Sequence, residues 1–227
     1  MKLATWNIHR CIGRDGEKSP ERCAAVLQEI DADVIALQEL ESRPGHELDV
    51  LAYLAREAGA RAIAGSTMIE QDAHYGNALL TRLPVRVVRR HDLSVSGREP
   101  RGALDVDLDL DGSRLQMIAT HLGLRPAERR EQVRRLLPLF DTGEHDLVVL
   151  TGDLNEWFLW GRPLRMLHRI FPHASHRRTW PAYAPLFALD RIWVHPHNAL
   201  RTLAAHRSQL ARVASDHLPV ITEIDLL

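Results

Sequence analysis

Lysine is almost missing from this chain. Lys2 and Lys18 are the only two in 227 residues, so arginine carries nearly all the positive charge. Arginine's planar fork suits phosphate oxygens, although a genome-wide compositional bias is the simpler reading of the same count. Cysteine is equally scarce: Cys11 and Cys23 form no CxxC pair, which excludes a disulfide framework and leaves free thiols in a reducing compartment as the expectation. No segment approaches the ~18 apolar residues of a membrane span. The opening "MKLATWNIHR" has no apolar stretch of the signal-peptide kind and reads directly as strand. The expectation is a soluble, cytoplasmic protein that is not transmembrane. Net charge is only -1 with histidines neutral, so no global basic field advertises nucleic acid, though a local basic patch stays open. Several catalytic signatures are also absent: no HExxH or Cys/His cluster for zinc, no GxxxxGK[ST] loop for a nucleoside triphosphate, and no GxSxG nucleophile elbow.

What is present is an ordinary globular composition, 45% hydrophobic and 26% charged. Its length suits one large α/β domain spanning 1–227. Strand-like apolar runs recur at Leu3–Ile8, Val34–Leu37, Ala78–Thr81, Val85–Val88, Ala103–Leu110, Leu115–His121, Leu147–Thr151, Ile192–Val194 and Val220–Ile224. Helical patterns lie among them. One opens on Ser19-Pro20 with Cys23, Val26, Leu27 and Ile30 on one face, and a second covers about Glu47–Ala58. A third follows Pro126 with Val133, Leu136, Leu137 and Phe140 as its stripe, and a short fourth lies near Pro163–Ile170. Asp111-Gly112 between two apolar runs is a hairpin signature. Antiparallel strands in the middle and helix–strand alternation outside predict an α/β sandwich: two mainly antiparallel sheets packed face to face with helices outside.

The ends of those strands carry a recurring set of polar residues: Asn7 in "TWNIH", Glu39 in "LQEL", His121 in "THL", Asp153 and Asn155 in "GDLN", Asp190 in "LDRI", Asp216 and His217 in "SDHLP". Any one is explained by turn chemistry or by a satisfied buried polar group. Together, if the strands share sheets, they converge on one rim. Carboxylates and an amide oxygen (Glu39, Asp216, Asn7) are hard donors that suit Mg²⁺ or Mn²⁺. Histidines supply proton transfer or hydrogen bonds to developing charge. With no evident nucleophilic Ser or Cys, the set points to water attacking a phosphoester.

In order, "TWNIH", "LQEL", "YGNALLTR", "EPRGAL", "THL", "GDLN", "LDRI" and "SDHLP" resemble the endonuclease/exonuclease/phosphatase superfamily, the Mg²⁺-dependent group of DNase I-like nucleases, abasic-site endonucleases, sphingomyelinases and inositol-phosphate phosphatases. The resemblance implies a four-layer α/β sandwich with its active site on one rim, of the short stand-alone bacterial type. It implies that Glu39, Asn7 and Asp216 hold the metal and that Asp153 and Asn155 position the attacking water. It further implies that His217, oriented by Asp190, bonds the non-bridging oxygens, while His121 contacts the phosphate or the leaving group. Tyr75, Asn77, Arg98 and Arg101 fall in motifs that line the cleft.

The substrate stays open between nucleic acid and a phospholipid or small phosphodiester. Arg125, Arg129, Arg130, Arg134 and Arg135 on the third helix read as a phosphate-tracking face or, by the preferred reading, a solvated one. In "NEWFLWGRP", Phe158 reads as core, while Trp157 or Trp160 fits the cleft mouth as a substrate contact, and Trp180 forms a further wall. The alternative to a hydrolase is a catalytically silent binding module on the same fold. No stable protein partner is implied, and the oligomeric state is unassigned.

Overall fold

Strand periodicity decides how this chain stacks. In β1 (Lys2–Asn7), Leu3 joins one apolar cluster while Ala4 and Trp6 join another. One strand therefore feeds two layers, as the two-residue side-chain period requires. The computed structural model describes residues 1–46, 49–70, 72–172 and 175–225.

The first sheet has the order β10-β11-β1-β2-β4-β3, built from β1, β2 (Val34–Ser42), β3 (Arg61–Glu70), β4 (Ala73–Thr81), β10 (Leu200–Ala205) and β11 (Val220–Ile224). The second has the order β5-β6-β7-β8-β9, from β5 (Val85–Asp92), β6 (Gly102–Leu110), β7 (Ser113–His121), β8 (Leu147–Asp153) and β9 (Asp190–His195). Among the described residues only β1–β2 and β7–β8 pair in parallel; the other ladders are antiparallel. The expected hairpin closes β6 onto β7 with Leu110 opposite Ser113, and Asp111 and Gly112 both take positive φ (51° and 91°), the geometry such a turn needs.

Leu3, Val34, Ala36 and Leu79 of the first sheet pack against Leu104, Val106, Met117, Val149 and Ile192 of the second. The outer face of the first sheet (Trp6, Ile35, Leu37, Leu80) is covered by α1 (Pro20–Ile30) and α2 (Val50–Glu57). The outer face of the second (Ile118, Val148, Leu150, Trp193) is covered by α3 (Pro126–Leu136) and α4 (Arg162–Leu167). The four layers are those expected. Each fully buried Leu, Ile or Val contributes roughly 1.5–3 kcal/mol, so three stacked apolar interfaces hold the rim rigid.

The helix signals hold locally. Ser19 Oγ accepts from the Arg22 N–H at 3.2 Å, Pro20 occupies the first turn, and Cys23, Val26, Leu27 and Ile30 are buried. The second helix begins at Val50 with Asp49 as its cap, and the part of the expected segment at 47–48 lies outside the described residues. Three elements went unmarked. β3 and β10 are edge strands, half exposed along most of their length, so neither needs clean apolar alternation. The four-residue α5 (Ala211–Ala214) is too short for a periodic pattern. Both cysteines are free thiols and buried.

Candidate active site

Each strand that reaches the rim extends an inward-facing row of core side chains with a polar one. On β7 the row Leu115, Met117, Ala119 continues to His121; on β8, Leu147 and Val149 continue through Thr151 to Asp153. On β9 the row begins with Asp190 ahead of Ile192 and Val194, and on β1, Leu3 leads through Thr5 to Asn7. Register then aligns them: His121 sits opposite Asp153, and Asp153 opposite Asp190. Gly152 makes the β7–β8 approach possible, since at φ 131° a Cβ there would lie 1.8 Å from the Thr120 carbonyl oxygen.

Glu39 reaches the cleft differently. Strict alternation would send it outward with Leu37. A bulge between Leu37 and Leu40 and a left-handed Glu39 (φ 54°) turn it inward instead. Its Oε1 accepts from Asn7 Nδ2 at 2.9 Å, and the same amide donates to Asp153 Oδ2 at 3.1 Å. Asn7 thus holds two carboxylates from opposite sheets, while its own oxygen accepts from the His9 backbone N–H at 3.0 Å. Asn155, also left-handed (φ 50°), donates its backbone N–H to Asp153 Oδ1 at 2.8 Å.

Charge state follows from these neighbours. Asp153 is fully buried, and desolvation raises its pKa to about 6 against the lowering effect of His217. For His217 burial works against the charge, but Asp190 and Asp153 outweigh it and push the ring up to about 10. Its Nδ1 donates to Asp190 Oδ2 at 2.8 Å, which also accepts from the Thr179 hydroxyl, and its Nε2 lies 3.7 Å from Asp153 Oδ2. The Trp6 indole donates to the His217 carbonyl at 2.9 Å, and Ser215 Oγ accepts from the His217 N–H at 3.2 Å, fixing the histidine's backbone.

His121 is the opposite case. Burial, then the charges of Arg101 and His217, hold it well below the ordinary histidine range, so the ring is neutral. Arg101 Nη1 lies 3.1 Å from Nδ1 and can only donate, which places the ring proton on Nε2. That nitrogen faces Asn155 Nδ2 at 3.0 Å, with Asp153 Oδ2 at 3.6 Å and Glu39 Oε1 at 3.9 Å. Asn155 Nδ2 also donates to the Leu122 carbonyl at 2.8 Å. The neutral ring thus stands beside two carboxylates with Nε2 as its donor.

Asp153, Asp190 and His217 bring one donor atom each within 4.8 Å of one another, all buried, a geometry able to hold a cation. The protonated ring and its bond to Asp190 favour proton handling there instead. Asn7 Nδ2 marks a better locus, because it already draws oxygens of Glu39 and Asp153 together. Asp216 lies at the edge of the site, its Oδ2 accepting from the Trp180 indole at 3.2 Å and its Oδ1 3.9 Å from His9 Nδ1.

The cleft-lining residues divide. Tyr75 is buried beneath the Arg10 guanidinium, 4.6 Å from its ring centroid; burial, then the Glu39 charge, raises its hydroxyl pKa. Asn77 donates to the Gly102 carbonyl at 3.0 Å, and its buried oxygen has no hydrogen-bond partner, nor has Arg101 Nε. Arg101 is buried and also reaches Glu99, whereas Arg98 is exposed. Trp157 packs edge-on to Trp180 (5.2 Å) and Phe187 (4.7 Å), so the wall expected of Trp180 is joined to it.

Two expectations need correction. Phe158 is not core: it is 59% exposed beside the more exposed Trp160. The reason is Glu156, which turns inward ahead of it and takes the buried place. The solvated reading of the third-helix arginines holds for Arg125, Arg134 and Arg135, which are exposed, but not for Arg129. Arg129 is buried, donating to Glu156 Oε2 at 3.2 Å and to the carbonyls of Gly123 and Leu124, while Arg134 and Arg135 pair with Glu131. Sequence reasoning also passed over His9, Thr179, Ser215 and the Arg129–Glu156 pair. His9 and Ser215 stood inside "TWNIH" and "SDH"; the ion pair joins residues 27 apart, with no local signal.

A two-sheet sandwich whose rim gathers acids, amides, one protonated histidine and one neutral histidine defines a hydrolase-type centre. The Endonuclease/Exonuclease/phosphatase family model matches residues 4–217, and the chain belongs to that family. Over its whole length it is similar to the uncharacterized protein YbhP of Escherichia coli, 31% identical across 96% of that protein. In structure it is similar to an endonuclease/exonuclease/phosphatase from Beutenbergia cavernae, with TM-score 0.80, 25% identity, all of this chain and 71% of that one. A mannosyl-6-phosphatase of Bacteroides thetaiotaomicron shares the fold at TM-score 0.75 and 16% identity, over 99% of each chain.

Proposed function

We propose that this protein is a Mg²⁺-dependent phosphodiesterase, one catalytic unit in which Asp153 activates water against a phosphoester; Mn²⁺ is the alternative ion. The observation that supports the reading is the meeting of Glu39 and Asp153 oxygens at Asn7 Nδ2, with the protonated His217 ring 3.7 Å and the His121 ring 3.6 Å from the same Asp153 oxygen. Donors and charges fixed in a buried cleft serve to stabilise charge that develops on an anionic oxygen.

The donor set fits a small hard cation, since oxygens of Glu39 and Asp153 already converge on one amide nitrogen. Glu39, with Asn7 and Asp216 beside it, would hold the ion, which would supply charge neutralisation at the phosphate. The chain's own groups do the rest. Asp153, held by Asn7 and the Asn155 N–H, is a carboxylate at neutral pH and basic enough to take a proton from water. His217 keeps its proton through the Asp190 bond and donates to the non-bridging oxygens as charge grows. Neutral His121 donates through Nε2 without adding a second full charge, and Arg101 keeps it in that tautomer. Asn77 and Tyr75 line the substrate side.

The test is a panel of bis-p-nitrophenyl phosphate, single- and double-stranded DNA, RNA, sphingomyelin, lysophospholipid and inositol phosphates, each with Mg²⁺ and with EDTA. The reading requires metal-dependent hydrolysis of at least one diester. Metal-independent hydrolysis, or none on any substrate, refutes it and favours the silent binding module.

A further inference from the structure

The rim is ringed by apolar side chains that the catalytic chemistry does not use. Leu124 follows β7 and is 64% exposed; Phe158, Leu159 and Trp160 follow β8, the last 70% exposed; Leu186 precedes β9 and is 61% exposed. Large apolar groups scattered singly on a surface need no explanation, but contiguous ones do.

These sit on three loops joined to one another, not on unrelated ones, and the joints are built. Arg129 binds the Gly123 and Leu124 carbonyls and Glu156 at once, so one buried ion pair ties the first loop to the second. Glu156 Oε1 also accepts from the Phe158 N–H at 3.2 Å, holding the tip from below. Gly161 lies against the same carboxylate, leaving no room for a Cβ. Trp157 then joins the second loop to the 180–187 loop through Trp180 and Phe187. That loop in turn is bound to the segment before Asp216, where Arg212 donates to the Tyr183 carbonyl at 3.1 Å. The joined loops thus directly follow His121 and Asp153 and directly precede Asp190 and Asp216.

The charge on this belt of loops is one-sided. The chain as a whole is nearly balanced, with 29 basic and 30 acidic residues. Yet residues 122–127, 156–162 and 180–188 contain Arg125 and Arg162, both exposed, and a single acid, Glu156, which is buried against Arg129. Exposed rings and aliphatic tips flanked by arginine, with no exposed carboxylate between them, match an anionic lipid surface: apolar tips enter the acyl boundary and guanidinium groups meet the phosphates. Single-stranded nucleic acid fits less well, because Leu124, Leu159 and Leu186 have no face on which a base could stack.

The geometry points to this belt as the seat that holds the protein on an anionic phospholipid membrane, so that the phosphoester presented to the cleft is a lipid headgroup. The substrate half rests on the phosphodiesterase reading above; the seat itself does not.

The experiment uses the full chain, flotation with vesicles of phosphatidylglycerol and phosphatidylcholine in equal parts, and turnover of soluble bis-p-nitrophenyl phosphate. Wild type floats with these vesicles and much less with pure phosphatidylcholine. Phe158→Ala/Leu186→Ser, changing exposed tips only, lowers bound protein on the order of tenfold with unchanged circular dichroism and soluble turnover. Arg162→Glu weakens flotation most at low salt, and Val87→Ser, an exposed apolar site on β5 away from the belt, changes nothing. Absence of flotation, or flotation unaltered in the double variant, overturns the proposal, as does a loss of oligothymidylate binding or of a dimer in its place. Flotation without turnover of any substrate of the panel above supports the seat and overturns the phosphodiesterase reading; turnover without flotation does the reverse.

Discussion

Breaking the Arg129–Glu156 pair from one side leaves a charge stranded where water does not reach. Both side chains are 3% exposed and 3.2 Å apart. In Arg129→Met the Glu156 carboxylate keeps only the Phe158 N–H. Removing one partner of a buried ion pair costs ~3–5 kcal/mol. The lower figure applies here, because the Arg191 guanidinium is also buried, has Nε and Nη2 without hydrogen-bond partners, and feels the Glu156 charge. In Glu156→Gln, Arg129 retains the Gly123 and Leu124 carbonyls, so the cost falls to roughly 1–3 kcal/mol. The double variant strands no charge, losing only the donor to the Gly123 and Leu124 carbonyls, and destabilises less than the sum by on the order of 1–2 kcal/mol. Urea denaturation followed by circular dichroism measures all three. Costs that add within about 0.5 kcal/mol would mean the two charges are not coupled, and the strut beneath the apolar belt would be wrong.

Other outcomes follow from the same geometry. In metal-free protein, the His217 ring titrates by NMR near pH 10 instead of 6.5, and Asp190→Asn brings it down. Because the folded-state value is raised, its stabilising contribution is complete below the unfolded value of 6.5 and is lost as pH rises through about 10. Gly152→Ala, which drives a Cβ into the Thr120 carbonyl, costs on the order of 3 kcal/mol or more in chemical denaturation; a neutral result contradicts the close β7–β8 approach. Arg101→Met releases the His121 tautomer and lowers kcat more than it changes KM, measured on bis-p-nitrophenyl phosphate.

Much of the site was legible because most catalytic-type residues lie at or beside the end of a strand whose apolar run is local and periodic. Asp153 and His121 need only the two-residue period and a shared sheet to meet. Glu39 was legible as a residue but not as a direction, since the bulge that turns it inward depends on how β2 pairs with β4. The second acid of "GDLNEW" was opaque for the same reason: Glu156 looks like a loop residue until α3 brings Arg129 to it. Phe158 was misjudged because apolar character alone does not decide burial at a rim, where the chain's polar strut takes the inner position. The edge strands β3 and β10 left no pattern because each buries a single large apolar side chain, Ile63 and Leu203, too few to show an alternation.

The central claim is that Asp153 is the base. Turnover of bis-p-nitrophenyl phosphate by Asp153→Asn in Mg²⁺, with circular dichroism matching wild type, tests it most directly. Asparagine keeps the size and the acceptor facing Asn7 while losing the proton-accepting charge. The account predicts a loss of ~10²–10⁴-fold in kcat. Turnover equal to wild type would contradict it.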